Sequence, residues 1–282
     1  MKPSMKKLFL AFVAAMALSV YGVCAQQPSQ PGSSPTPAAK RAPQAKTQAE
    51  YNDYNTAYAI NGGAGMEKAA NDFAAKYPNS ELRPYLYSKA MHEYQNENKP
   101  EKMLAMGEKV LALDPDNPIA LVLTATVLSD SLSDSDADRE HKIAETRKNA
   151  THALQTIDSS FTPPANANPE QVAAYKSTLR SMAHSALGIL NLKIGDNAGA
   201  ENELKAATEL NKVQPDPYIW YHLALAQDHQ TKYPQALASV NEALRYTGSN
   251  PELDKLAHGE RDRLMKLTGG SQNQPNNSQP PR

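Results

Sequence analysis

The chain has 282 residues and a formal net charge of -1, with apolar residues at 40% and aromatics at 6%, most of them among its 13 tyrosines. That is enough apolar material for a core, and near-neutral charge excludes the electrostatic footprint of a nucleic-acid binder. Alanine is abundant and β-branched runs are scarce, which favours helix over sheet.

At the N-terminus, Lys2, Lys6 and Lys7 precede LFLAFVAAMALSV and then YGVCA. A basic start, a short apolar run and small residues at its end read as a secretory signal peptide over 1–25, cleaved after Ala25. The run is too short for a comfortable membrane span. A rival reading makes Cys24 a lipidated first residue, although Tyr21, Gly22 and Val23 depart from the usual lipoprotein sequence before it. Cleavage after Ala25 leaves a mature chain without cysteine, hence without disulfides or thiolate chemistry. It also removes three lysines and takes the net charge from -1 to -4. The protein is expected to be exported, periplasmic or secreted.

Residues 26–48 are rich in Pro, Ser, Gln and Ala and read as an extended linker. The folded region is expected over 49–268. It opens with a partial repeat (49–83) whose AANDFAAKYPNSE resembles a second helix of a repeat. Before it, NGGAGMEKAA (Asn61 to Ala70) is Gly-rich and enters a helix. Such a turn could cradle phosphate, but it lacks the Lys-Ser/Thr ending and the preceding strand of a P-loop. It reads as a helix-to-helix turn.

From there apolar residues recur at helical intervals, and the intervals repeat. Tyr87, Ala90-Met91 and Tyr94 are followed by Met103, Gly107 and Val110 and the break LALDPDNP. Thr146, Ala150 and Ala153 form a further copy. Leu187-Gly188 leads through Gly195 to Ala200, Leu204 and Ala207, and Trp220 with Leu223-Ala224 leads through Tyr233 to Ala236, Val240 and Ala243. The second-helix sets start at 103, 146, 200 and 236, so the spacings are 43, 54 and 36. Two insertions account for the excess: SDSLSDSDADREH (129–141) and FTPPANANPEQVAAYKSTLR (161–180). In the second, Asn168 and Pro169 read as N-cap and first helical residue, with Gln171 completing a capping-box-like pattern. A helix from there to Ile194 would be about 39 Å long and project beyond its neighbours. Leu253, Leu256, Leu264 and Leu267 form a stripe on a C-terminal capping helix (251–268), and 269–282 is a polar tail.

These sets resemble the tetratricopeptide repeat family over roughly Pro84 to Thr247. The resemblance implies an all-α, right-handed α-solenoid with repeats at about 84–117, 118–160 (interrupted), 181–214 and 217–250. Each repeat is two antiparallel helices that stack because neither buries its apolar stripe alone. Small residues such as Ala200 and Ala207 then let helix axes approach to about 8–10 Å.

Chemistry is sparse by comparison. Asp134, Asp136, Asp138 and Glu145 have the spacing of a calcium loop, where several oxygens converge on one ion, but Arg139 replaces the sharp-turn glycine. A solvated acidic loop and weak calcium or ligand binding both remain open. The seven histidines lack the i, i+4 pairing of a helical zinc site, and His184 is expected to be a packed core histidine. No nucleophile motif stands out, so neither enzyme activity nor a cofactor is expected.

What the resemblance implies is a concave groove lined by first helices. By register the lining is Tyr85, Ser88 and His92, then Ile119, Val122 and Thr126, then Met182, Ser185 and Ile189, then Tyr218, Tyr221 and Leu225. Tyr suits such a surface because it offers area, few rotors and a polar tip. The implied function is a non-enzymatic scaffold binding a peptide or helix segment of another protein. The alternatives are an envelope-assembly module that self-associates or docks by its edges, and a ligand-binding protein or hydrolase using the acidic insertion.

Overall fold

The computed structural model describes residues 43–161, 163 and 167–271. The expected signal peptide, nearly all of the linker and the tail beyond 271 lie outside the described residues. Among the described residues every regular element is helical: α1 (Gln48–Tyr58), α2 (Gly63–Lys76), α3 (Arg83–Asn96), α4 (Pro100–Leu113), α5 (Pro118–Ser131), α6 (Arg139–Ser160), α7 (Pro169–Lys193), α8 (Asn197–Leu210), α9 (Pro217–Asp228), α10 (Tyr233–Leu244) and α11 (Pro251–Ser271). Helix α1 begins one residue before the boundary read from composition, and α11 runs past Thr268 by three. Among the described residues no helix is long and apolar enough to cross a membrane.

The helices start where local chemistry dictates. Asn117, Asn168, Asp216 and Asn250 each precede a proline, and each side-chain oxygen accepts a hydrogen bond from a backbone N–H of the first turn, at 3.1, 2.8, 2.8 and 3.0 Å. The cap satisfies an amide that the helix cannot, and the proline supplies the right φ where its missing N–H costs nothing. At α7 the recipient of the Asn168 cap is Glu170 rather than Gln171, so the expected capping box is a simple cap.

Each helix packs on the next in sequence, and α7 also touches α5 and α9. The architecture is a tetratricopeptide-like α-solenoid of stacked helix pairs closed by α11. The small second-helix residues are its seams: Ala200, Leu204, Ala207, Ala236, Val240 and Ala243 are all fully buried. A Cβ added to Gly188 of α7 would lie 2.5 Å from Leu204 Cγ and 3.3 Å from the Leu204 backbone nitrogen. Only a glycine lets α7 and α8 come that close.

Three expectations are corrected. The projecting α7 is not alone, because α6 is also long, with 22 residues. Asp158 holds Arg180 at 2.6 Å, and the rings of Phe161 and Tyr175 sit 5.3 Å apart, so the two helices brace each other. On α11 the buried stripe is Leu253, Ala257 and Leu264, while Leu256 and Leu267 are each 37% exposed. His184 is not packed in apolar core: its Nδ1 lies 2.7 Å from Glu203 Oε2 on α8. The buried histidine is His222.

Candidate partner-binding surface

Helix α5 is apolar on every side, and residues 120–129 are all buried. A helix without a polar face is a core helix, and α4, α6 and the long α7 all pack on it. Val122 joins Leu121 and Ala125 in a cluster with Leu179, Ala183 and Ala186 of α7. Val122 is therefore sealed from solvent, as is Ile189, and Thr126 and Ser185 are buried too. These four expected lining residues hold helices together and offer nothing to a partner in this arrangement. Ile119 and Met182 are partly buried against the same cores. His92 and Ser88 are half-buried, and the His92 Nδ1 lies 3.2 Å from Gln95 Oε1. Burial lowers the His92 pKa, so its ring stays neutral near pH 7.

Tyr218, Tyr221 and Leu225 are half-buried. Tyr218 enters a polar junction where α5, α7 and α9 meet. Its hydroxyl donates to Asp130 Oδ1 at 2.9 Å, and its ring lies 4.1 Å from that of His222. Lys193 Nζ donates to the backbone oxygens of Asp130 (2.5 Å) and Leu132 (3.1 Å), satisfying the end of α5. Among the described residues, Asp130 Oδ2 is buried and finds no hydrogen-bond partner. Burial pushes the Asp130 carboxyl up to about 7, against the Tyr218 hydrogen bond and the Lys193 charge. Burial also lowers the Lys193 ammonium and raises the Asp216 carboxyl. His222 is held down to about 4 by burial, and its Nδ1–H donates to the Tyr218 carbonyl at 2.8 Å.

Tyr85 behaves differently: it is 44% exposed, and it has company outside the register argument. QAEYNDYNTAY places Tyr51, Tyr54 and Tyr58 at i, i+3 and i+7 on α1, one face of a helix. Tyr51 is 48% exposed, whereas Tyr54 is buried against Phe73. Burial raises the Tyr54 hydroxyl, and the phenols of Tyr58, Tyr85 and Tyr51 add to it, across the contact of α1 with α3. Lys89 Nζ lies 5.6 Å over the Tyr58 ring while donating to the Ile60 carbonyl at 2.6 Å. Burial, then Asp114 and Glu81, raise the Tyr85 hydroxyl. The spacing on α1 is the signal that sequence reasoning could have used. Treating 49–83 as only a partial repeat hides it.

The other candidate sites are occupied by the chain itself. In the Gly-rich turn, Gly62 N–H donates to Glu93 Oε2 at 3.1 Å and Gly63 N–H to Glu97 Oε1 at 2.6 Å. Gly62 has φ +84°, and a Cβ on Gly63 would strike the Tyr94 ring. The amides that could have met phosphate serve the α2–α3 contact. In the acidic insertion, Lys142 holds Asp136 at 2.8 Å and Asp138 at 3.4 Å, Arg139 holds Asp134 at 3.5 Å, and Glu145 turns to Lys148 at 3.2 Å. The carboxylates are neutralised from within rather than pointed at a common centre, and among the described residues no trio of acidic, His or Cys side chains is grouped to hold a metal. A cleft of about 600 Å³ where α2 meets the α3–α4 turn carries Lys68, Lys99 and Lys102, each paired with a carboxylate.

No protein-family model and no curated protein matches the chain. Among solved structures it is similar to a thermophilic tetratricopeptide-repeat (TPR) protein of Thermus thermophilus, at 15% identity and a TM-score of 0.46, over 75% of this chain and 98% of that one.

Proposed function

We propose that this protein is a non-enzymatic interaction scaffold of the cell envelope, which binds a peptide or helix segment of a partner protein on the tyrosine face of α1 and α3. The observation that carries the reading is the pair Tyr51 and Tyr85, half exposed on adjacent first helices and backed by Tyr54 and Tyr58. Such a surface offers large, stiff contact area and hydroxyls that are easily satisfied, the chemistry of a hot spot. The envelope location rests on the basic and apolar pattern of residues 1–25.

The test is cross-linked capture from native envelope with the parent chain and with Tyr51→Ala/Tyr85→Ala, whose exposed positions leave the core intact. A partner lost from the variant supports the reading, and a partner held equally by both removes it. A second reading, docking by the end of the array, is favoured by Leu256 and Leu267, three turns apart on α11 and both partly exposed. Sedimentation of the parent and Leu256→Glu separates the two, because only end-to-end association responds to that change.

A further inference from the structure

The chain that precedes α1 arrives beside the tyrosine face. Gln44 N–H donates to Glu81 Oε2 at 3.3 Å, and Ala45 packs against the first core. Glu81 lies four residues before Tyr85, and Glu81 and Asp114 both act on the Tyr85 hydroxyl. The described chain thus begins at Pro43 beside Glu81 and the exposed Tyr85 ring, with Asp114 near enough to act on that ring's hydroxyl. That stretch reads PTPAAKRA over 35–42, with prolines at 35 and 37 and the adjacent cations Lys40 and Arg41.

Three physical arguments converge on it. Length allows it: eight extended residues span about 26 Å, while neighbouring helix axes lie about 8–10 Å apart, so the segment reaches across α1 and α3. Charge favours it, because Lys40 and Arg41 fall within a few residues of the Gln44–Glu81 attachment. Entropy favours it as well, since the fixed φ of Pro35 and Pro37 lowers the ordering cost of docking on an aromatic surface.

We infer that residues 35–42 dock on the Tyr51–Tyr85 face, with Lys40 and Arg41 against Glu81 and Asp114, so that a partner segment of similar proline-and-basic chemistry binds by displacing them. The inference rests on the proposed role of that face as the binding surface.

The experiment places the photo-cross-linker benzoylphenylalanine at Ala38 in the full chain, irradiates expressing cells and maps cross-linked peptides by mass spectrometry. The same group at Gln44, next to Glu81, is the positive control. The expected result is an intrachain cross-link from Ala38 to peptides holding Tyr51 or Tyr85, reduced about fivefold by Lys40→Glu/Arg41→Glu, as two exposed ion pairs imply. A dimer-sized product assigns the face to a second copy and overturns the inference. So does a cross-link elsewhere in the chain, or a Gln44 cross-link with none from Ala38. The cross-linker at Tyr85 reads the binding surface separately. If it captures another protein while Ala38 captures nothing on α1 or α3, the surface stands and self-docking fails.

Discussion

Tyr218 and Asp130 are 88 residues apart in sequence, and the Tyr218 hydroxyl donates to Asp130 Oδ1 at 2.9 Å. This contact ties the start of α9 to the end of α5 across α7, which makes Tyr218 a strut between helix pairs as well as a surface residue. Removing only the hydroxyl isolates that role. Tyr218→Phe is expected to cost about 0.5–1.5 kcal/mol in urea unfolding while partner capture is retained.

Asp130 and His222 tilt the pH dependence in opposite directions. The Asp130 carboxyl is raised from 3.8 to about 7, so the native state keeps a proton that the unfolded chain releases; its contribution is present below pH 4 and lost as pH rises through 7. His222 is lowered from 6.5 to about 4, so its contribution is present above pH 6.5 and lost as pH falls through 4. Between pH 4 and 6.5 the two slopes oppose each other. Asp130→Asn is expected to be relatively more stable at pH 8 than at pH 5, and His222→Gln relatively more stable at pH 5 than at pH 8. Denaturant midpoints of both variants against the parent at the two pH values check the signs.

Gly188 and Gly259 make a matched pair. A methyl at Gly188 meets Leu204 at 2.5 Å inside the α7–α8 seam, whereas one at Gly259 on α11 has nothing within 4 Å among the described residues. Gly188→Ala is expected to destabilise by about 1–3 kcal/mol through overpacking. Gly259→Ala is expected to stabilise by up to about 1 kcal/mol through helix propensity. Thermal unfolding of the two single variants decides it.

Glu201 ties α8 to the α9–α10 turn and the start of α10. Its side chain is only 6% exposed; it takes Lys205 at 2.7 Å from its own helix, Gln230 at 3.0 Å from the α9–α10 turn and Lys232 at 2.5 Å from the start of α10. Burial opposes the charge, but these partners win and hold the carboxyl down to about 2. Its contribution is present above pH 4.5 and is lost as pH falls toward 2. Glu201→Ala is expected to cost about 1–3 kcal/mol at pH 7, less at pH 3, and to speed hydrogen exchange in α10 first.

What the sequence by itself determined is the helix-pair plan. Apolar spacing, Asx-Pro starts and small residues at 200, 207, 236 and 243 are local signals, and a helix reads them within its own turns. The exposed Tyr85 is also within reach of the sequence, and the Tyr51–Tyr54–Tyr58 spacing stands beside it. Tertiary structure decided the rest. Register alone places Val122 and Ile189 on an open groove, but whether a first-helix face stays open depends on what the next helix covers, and α7 covers α5. The Asp130–Tyr218 junction is equally out of the sequence's reach. Its members lie far apart along the chain, and only the stacking of three helices brings them into one buried site where desolvation, rather than sequence neighbours, sets their charge.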